Sequence, residues 1–329
     1  MKPTIGISIG DVNGVGPEII LKALKEIDLE ESTPLIISPK RVLDFYAMEL
    51  KLSLHLNKCE FLDQIDPQFI NLLDVPTNDF QITPGIQSKE SGLVAMQSIE
   101  LGIELASIGL TQALVTSPIS KEAVNLAGYN IPGHTEFLAE KTNTNEVLMM
   151  LVNEGLRVAL VTAHIPISKV SQSITEDLIL RKLSILNQSL IDDFGIESPK
   201  VAVFGLNPHA GDGGVIGSEE IDLIIPTLKK ATDLGLNVQG PFPADGFFGQ
   251  RLDKEFDAIL AMYHDQGLVP FKLLSFGKGV NFTAGLPIIR TSPDHGTAFN
   301  IAGKGIANTS SFLMAYNLAV QLANARHAN

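Results

Sequence analysis

The stretch "AILAMYHDQGLVPFK", residues 258–272, begins with an apolar run typical of a buried strand and then stops on His264 and Asp265. An imidazole and a carboxylate do not belong in a hydrophobic core, so the chain must leave the interior of the sheet here. The same ending recurs after three other apolar runs, "VALVTAH", "VAVFGLNPH" and "LPIIRTSPDH", which end on His164, His209 and His295. Functional side chains gather beyond the carboxyl ends of strands in open α/β sheets, so the sequence predicts a site at that edge.

Short β-rich apolar runs alternate with longer helix-compatible segments along the chain, which is the pattern of a layered α/β protein. Residues 4–10 predict a first strand, and residues 17–27 predict a helix with Pro17 at its first position. The glycines between them, in "GDVNGVGPE", lack the spacing and the lysine of a phosphate loop and indicate a tight strand-to-helix turn. Residues 88–109 predict a long helix, and residues 153–155 predict the turn of an antiparallel hairpin.

Composition narrows the class of protein. The 329 residues are enough for two domains, and 45% of them are hydrophobic. The net charge of −13 argues against nucleic-acid or anionic-membrane partners, which need a basic face. A single cysteine, Cys59, rules out an internal disulfide and fits a reducing compartment. The N-terminal stretch has no signal-peptide pattern and no stretch reaches membrane-span length, so we expect a cytoplasmic protein without a membrane partner.

The histidines that follow strands indicate a metal site. One such histidine is more often a satisfied loop or core residue, but neutral imidazole is a common ligand of divalent metals, and several together favour that function. No local HExxH or CxxC spacing supports the interpretation.

Two segments predict an anion pocket. "NIPGHTEFLAEKT" places His134 and Thr135 where a helix begins, and we expect Thr135 to cap it. The free N–H groups of such a terminus favour an anion, although a simple cap is equally common. An otherwise apolar downstream segment supplies cations and an amide suited to phosphate or carboxylate, namely Lys272, Lys278, Asn281 and Arg290.

With these segments side by side, the chain resembles the 4-hydroxythreonine-4-phosphate dehydrogenase family of pyridoxal phosphate biosynthesis. The matching stretches span residues 9–308 and include "GDVNGVGPEI", "TSPISKEAVNLAG", "PGHTEFLA", "GLNPHAGDGGVIG", "MYHDQGLVPFK" and "GVNFTAGLPIIRTSPDHGTAF". The resemblance implies two α/β/α domains of the isocitrate and isopropylmalate dehydrogenase type, with an active-site cleft between them. We expect a discontinuous first domain over 1–125 plus 290–329, and a second over 126–289 that carries the metal histidines and the dimer contacts.

The family's functional residues fall on specific positions of this chain. The resemblance implies that the metal ligands are His164, His209 and His264. It implies that the substrate is bound by His134, Thr135, Lys272, Asn281 and Arg290. Candidates for orienting the ligands or accepting a proton are Asp245, Asp265 and Lys272. The stretch "DHGTAFNIAGKGIAN" resembles the adenosine-side loop of the decarboxylating dehydrogenases and yields three candidate NAD contacts, His295, Gly296 and Asn308.

The resemblance also implies an activity: NAD-dependent oxidation of 4-phosphooxy-L-threonine at C3, followed by decarboxylation to 3-amino-2-oxopropyl phosphate. NADP is an alternative cofactor. One divalent metal per site, Zn²⁺, Mg²⁺ or Co²⁺, acts as a Lewis acid. The family is homodimeric, and the resemblance implies that one metal site draws its histidines from both subunits.

Three other functions remain open at this point. A related dehydrogenase of a four-carbon phosphorylated sugar acid, such as 4-phospho-threonate or 4-phospho-erythronate, would keep the same metal and phosphate residues. A metal-dependent hydrolase or aldolase would use the histidines without nicotinamide, and the stretch ending in "NIAGKGIAN" argues against it. A non-catalytic phosphate-binding module would not need the strand-end histidines.

Overall fold

A computed structural model describes residues 2–131 and 133–328, and it confirms the α/β fold predicted from the sequence. The strands in chain order are β1 (Thr4–Ser8), β2 (Thr33–Ser38), β3 (Leu56–Cys59), β4 (Ile70–Asp74), β5 (Ala113–Thr116), β6 (Leu148–Asn153), β7 (Leu156–Leu160), β8 (Val201–Phe204), β9 (Val238–Phe242), β10 (Ala258–Ala261), β11 (Val280–Ala284) and β12 (Ile289–Pro293). The helices are α1 (Gly16–Ala23), α2 (Lys40–Glu49), α3 (Lys89–Ser107), α4 (Lys121–Leu126), α5 (His134–Lys141), α6 (Val170–Ser173), α7 (Glu176–Asp192), α8 (Ile225–Asp233), α9 (Ala244–Gly249), α10 (His264–Ser275) and α11 (Ser310–Ala328). In the part of the chain so described, no helix is both long and apolar enough to cross a membrane.

The chain divides into two compact units. Unit 1 comprises Met1–Asn145 and Leu286–Ala328, and unit 2 comprises Glu146–Gly285. The sequence predicted that the first domain boundary follows residue 125. In the structure it follows Asn145, because α5 belongs with unit 1. In α5, Lys141 forms an ion pair with Glu100 of α3, with 2.9 Å between Nζ and Oε1.

Unit 1 contains a parallel sheet in the order β3-β4-β2-β1-β5-β12. Leu114 of β5 faces α3, because a Cβ on Gly102 of that helix would meet its Cδ1 at 2.6 Å. Thr291 is paired with Val115, the next residue of β5, and its hydroxyl donates to the carbonyl of Ala315 in α11. Successive side chains of a strand point to opposite faces, so α3 and α11 cover opposite faces of the sheet.

The turn between β1 and α1 is as tight as the glycines in the sequence predicted. Gly10 has a φ of 70°, a conformation that strains other residues. A Cβ on Gly16 would lie 2.6 Å from the carbonyl oxygen of Ile9, so α1 can begin only with glycine there. Pro17 lies in the first turn, as expected, but α1 ends at Ala23, before the expected residue 27.

Unit 2 contains strands in the order β11-β6-β7-β10-β8-β9. The predicted hairpin is confirmed: β6 and β7 are antiparallel, and Gly155 in their turn has a φ of 74°. The strands β7, β10, β8 and β9 are parallel neighbours, packed over an aromatic core that includes Phe204, Phe247 and Phe271. Because β7, β10 and β8 run side by side, their carboxyl ends lie at one edge of the unit 2 sheet.

Candidate functional site

Two of the three candidate metal histidines come together at the carboxyl ends of the parallel strands of unit 2. His164 follows β7 and His264 begins α10, and their ring centroids are 5.7 Å apart with the ring planes at 44°. His209 lies in the turn after β8. Within residues 2–131 and 133–328, no group of three or more His, Cys, Asp or Glu residues is placed to hold a metal ion. One chain therefore offers a pair of imidazoles, and His209 does not complete a set of three with them.

The carboxylate next to His264 orients its ring. Asp265 Oδ1 lies 2.7 Å from His264 Nδ1, so that nitrogen carries the proton and donates. In a neutral imidazole with this tautomer the other ring nitrogen, Nε2, is the acceptor, which is the form in which imidazole binds a metal. Asp245, the other candidate carboxylate, is exposed in the first turn of α9.

Two polar side chains that the sequence analysis missed join the strand ends that carry the histidines. Thr162, two residues before His164, donates its hydroxyl to the carbonyl of Met262 at 2.7 Å. Gln266, two residues after His264, accepts from the Met262 N–H at 2.7 Å and donates to the Gly205 carbonyl at 2.6 Å. Thr162 and Gln266 thus link the ends of β7, β10 and β8 by hydrogen bonds, two residues from the histidines in the sequence. Their only signal in the sequence is their spacing from the histidines.

His209 lies in a run of left-handed backbone. Residues 209–213 all have positive φ values between 45° and 81°, which costs a non-glycine residue about 1–2 kcal/mol. Glu220 stabilises the entry to this run: its buried carboxylate accepts the N–H of Leu206 at 2.7 Å and of Asn207 at 2.8 Å. Glu220 therefore positions His209 through the backbone, a relationship that no local pattern in the sequence revealed.

Unit 1 contains a buried cation whose side chain reaches the carboxyl end of β5. Arg290 of β12 is only 2% exposed, and it donates from Nε and Nη2 to the hydroxyl of Thr116, at 2.9 and 2.7 Å. Burial lowers the pKa of Arg290 to about 10. The guanidinium therefore stays charged at neutral pH although it has lost most of its hydration, which favours an anionic ligand.

His134 lies near this cation. Its Nε2 atom is buried and has no hydrogen-bond partner among the described residues. Its pKa is lowered well below the ordinary value, first by burial and then by the charge of Arg290. The imidazole is neutral, with a ring nitrogen available for a ligand.

The expected cap at Thr135 is wrong. The N-cap lies two residues earlier, at Gly133, which has no capping side chain, and helix α5 begins at His134. Gly133 occupies this position in an extended conformation, so Thr135 falls inside the first turn, where its side chain is too far along the helix to cap it.

The remaining candidate substrate residues lie in unit 2. Lys272 is exposed on α10, about two turns after His264. Asn281 lies on β11, and its buried Oδ1 has no partner in the described part of the chain. An unpaired buried acceptor is costly, so Asn281 is suited to receiving a donor from a ligand.

The candidate NAD residues lie in a loop of unit 1 between β12 and α11. His295 Nδ1 is 3.0 Å from the Gly296 carbonyl, and a Cβ on Gly296 would meet nothing within 4 Å. Asn308 Oδ1 accepts from the N–H of Ser310, so Asn308 also fixes the start of α11. The loop is open at Gly296 and anchored at Asn308.

Unit 2 exposes apolar side chains next to the histidines. Val269 and Leu273, one turn apart on one side of α10, are 64% and 71% exposed, and Phe276, the C-cap residue of that helix, is 85% exposed. Ile167 and Val215, which follow His164 and His209 closely, are also exposed. Large exposed apolar surface of this kind marks an interaction site.

Comparisons with known proteins agree with one another. A family model described as "Pyridoxal phosphate biosynthetic protein PdxA" matches residues 30–319. The chain is 42% identical over 323 residues to the 4-hydroxythreonine-4-phosphate dehydrogenase of Bacteroides thetaiotaomicron, covering 98% of this chain and 89% of that relative. It is also 42% identical over 327 residues to a putative D-threonate 4-phosphate dehydrogenase of Oceanobacillus iheyensis, covering 98% of both. A crystal structure of the Klebsiella pneumoniae 4-hydroxythreonine-4-phosphate dehydrogenase is similar with a TM-score of 0.90 and 37% identity, covering 98% of both chains.

Proposed function

The chain belongs to the PdxA family of pyridoxal phosphate biosynthetic proteins, and we propose that it oxidises 4-phosphooxy-L-threonine at C3 with NAD and decarboxylates it to 3-amino-2-oxopropyl phosphate. The observation that carries the proposal is the buried Arg290 beside the neutral His134, because this arrangement suits an anionic group of the substrate. A desolvated guanidinium with a preorganised hydroxyl partner binds phosphate or carboxylate more strongly than an exposed one.

The donor set in unit 2 fits a divalent metal. His164 and His264 lie at a separation suited to a shared ion, and Asp265 holds His264 with Nε2 as an acceptor. In the proposal His209 of a second subunit supplies the third imidazole. A divalent metal bound there supplies Lewis-acid chemistry at the substrate oxygens.

The protein's own groups supply binding and proton transfer. Asn281, with its free buried oxygen, accepts a hydrogen bond from the substrate and holds it in one orientation. Lys272, exposed on the same helix as His264, and Asp245 are the two groups that we propose as acceptors of the C3 hydroxyl proton. Asp265 has a separate task, since its bond to Nδ1 fixes the ring of His264.

The loop of residues 295–308 fits a dinucleotide. The space beside Gly296 is open, so a ligand can approach the backbone there, and Gly303 and Gly305 have φ values of 72° and 73°, which let the loop turn sharply. We propose that this loop would hold the adenosine side of NAD, with NADP as the alternative, and that the bound dinucleotide would supply the hydride-accepting chemistry.

We also propose a homodimer with a shared metal site. The support is the apolar side of α10, which begins at His264 and leaves Val269, Leu273 and Phe276 exposed. Burying these side chains against a second copy would bring a second set of histidines to the same place.

One competing substrate has equal support. The Oceanobacillus iheyensis relative, named for D-threonate 4-phosphate, is as similar to this chain as the Bacteroides relative is. A dehydrogenase of such a four-carbon phosphorylated sugar acid would use the same metal and anion residues and differ only at the group on C2.

The deciding experiment measures NADH absorbance with the purified protein, a divalent metal and one substrate at a time. We expect turnover of 4-phosphooxy-L-threonine, and loss of that turnover when a chelator is added. Faster turnover of 4-phospho-D-threonate or 4-phospho-D-erythronate, compared as kcat/KM, would assign the competing substrate. Absence of NADH formation with all three would overturn the proposed dehydrogenase activity.

A further inference from the structure

A buried carboxylate in unit 1 binds the backbone of the loop before α11. Glu18 of α1 is fully buried, and its Oε1 accepts the N–H of Ala307 at 2.8 Å while its Oε2 accepts the N–H of Gly305 at 3.1 Å. Both carboxylate oxygens are thus used on two residues of one short segment.

A lysine one helical turn later binds the same two residues from their carbonyl side. Lys22 Nζ donates to the carbonyl of Ala307 at 2.6 Å and to that of Gly305 at 3.1 Å. It also lies 3.5 Å from Glu18 Oε1, as an i,i+4 ion pair. The pair therefore holds both the N–H and the C=O groups of Gly305 and Ala307.

The hydrogen bonds of Glu18 and Lys22 to Gly305 and Ala307 are more numerous than the anchoring of an ordinary loop requires. Burying a carboxylate is costly unless several donors compensate it. Ile306, between the two clamped residues, is 66% exposed, and the small Ala307 is the apolar side chain that the clamp leaves buried, so burial of a large apolar side chain is not what the clamp serves. Its effect is to fix the path of the backbone just before Asn308.

We infer that Glu18 and Lys22 are positioning residues for the dinucleotide: they hold residues 303–308 in the conformation that binds NAD. The inference rests on the proposed function, which places NAD at this loop. Without the clamp the loop would have to be ordered on binding, and the affinity for NAD would fall by the cost of that ordering.

The test compares Glu18→Gln and Lys22→Met with the wild type and with Glu26→Gln, an exposed matched control in the turn that follows the same helix. Calorimetry measures the Kd for NAD, and amide hydrogen exchange measures protection at Gly305 and Ala307. We expect NAD binding to weaken at least about tenfold in both variants, together with faster exchange at the two amides. The KM for the phosphorylated acid and kcat at saturating NAD should stay within about twofold of wild type, a split that general destabilisation would not produce.

The outcomes separate this inference from the proposed function. If the wild type binds NAD and either variant binds it equally well despite faster exchange at the loop, the positioning role is overturned. If NAD binding weakens and the substrate KM rises in both variants, in parallel with a fall in the melting temperature, Glu18 and Lys22 are merely structural. If the wild-type protein itself binds no dinucleotide, the cofactor assignment in the proposed function fails, and the inference fails with it.

Discussion

Arg290 donates two hydrogen bonds to a single hydroxyl, that of Thr116, from Nε at 2.9 Å and from Nη2 at 2.7 Å. The two residues lie on the neighbouring parallel strands β12 and β5, and both are buried. Because Thr116 orients the guanidinium from one side, the cation is preorganised for an anion before the substrate arrives.

Replacing Arg290 with Met should therefore impair capture of the phosphorylated acid. Losing one buried charge-assisted contact costs about 2–5 kcal/mol, so we expect kcat/KM for the substrate to fall at least about 30-fold. The Kd for NAD should stay within about twofold of wild type, and Lys25→Met, an exposed control, should change neither quantity. Unchanged substrate kinetics in Arg290→Met would remove this residue from the site.

Replacing His264 with Ala should remove the divalent metal. This change deletes one of the two imidazoles that lie 5.7 Å apart, and we expect bound metal, measured by elemental analysis, to fall to background after dialysis. His55→Ala is the matched control, because His55 is an exposed histidine of unit 1. Full metal content and chelator-sensitive activity in His264→Ala would refute the assignment.

Mixing inactive variants should reveal which histidines share a chain. Because His164 and His264 meet within one chain, a mixture of His209→Ala with His264→Ala protein should regain activity in its heterodimers. One site of such a heterodimer carries both defects and the other carries neither. A mixture of His164→Ala with His264→Ala should regain nothing, since each site then lacks one of the pair. The reverse pattern, with heterodimers verified by mass spectrometry, would contradict the pairing.

Placing a charge on the apolar side of α10 should separate the subunits. Leu273→Lys puts an ammonium on a surface that the proposed dimer buries, and burial of an unpaired charge is strongly unfavourable. We expect light scattering to report a monomer with little activity. Ile108→Lys, at an equally exposed apolar residue of unit 1, is the control and should remain dimeric. A Leu273→Lys dimer of wild-type stability would exclude α10 from the interface.

His134 should make the folded protein sensitive to mild acid. Its pKa is lowered in the folded state from the ordinary value of 6.5, so below that pH the unfolded chain binds a proton that the folded protein does not. The free energy of unfolding therefore falls as the pH drops through and below about 6.5. The full contribution of the neutral His134 to stability is present above that pH. We expect the melting temperature of His134→Gln to decline less than that of wild type between about pH 7.5 and 5.5. Equal declines in the two proteins would show that His134 is not held neutral.

Local patterns were sufficient for much of the fold. Strand periodicity, Pro17 at the start of α1 and the hairpin at Gly155 depend on neighbours in the sequence, and the structure contains all three. The start of α5 differed because Gly133, two residues before the expected cap Thr135, has an extended backbone and begins the helix without a capping side chain.

The sequence by itself determined which side chains end each strand, because an apolar run that is buried on both faces, as β8 and β10 are, must stop where a strongly polar residue appears. Only the tertiary structure decided which of them meet. The order β7-β10-β8 brings His164 beside His264, and Gln266 then joins β10 to the carbonyl of Gly205. Likewise the bonds from Glu18 to Gly305 connect opposite ends of the chain. Such contacts depend on strand order and on backbone hydrogen bonds between distant segments, and no period within a short stretch of sequence encodes either.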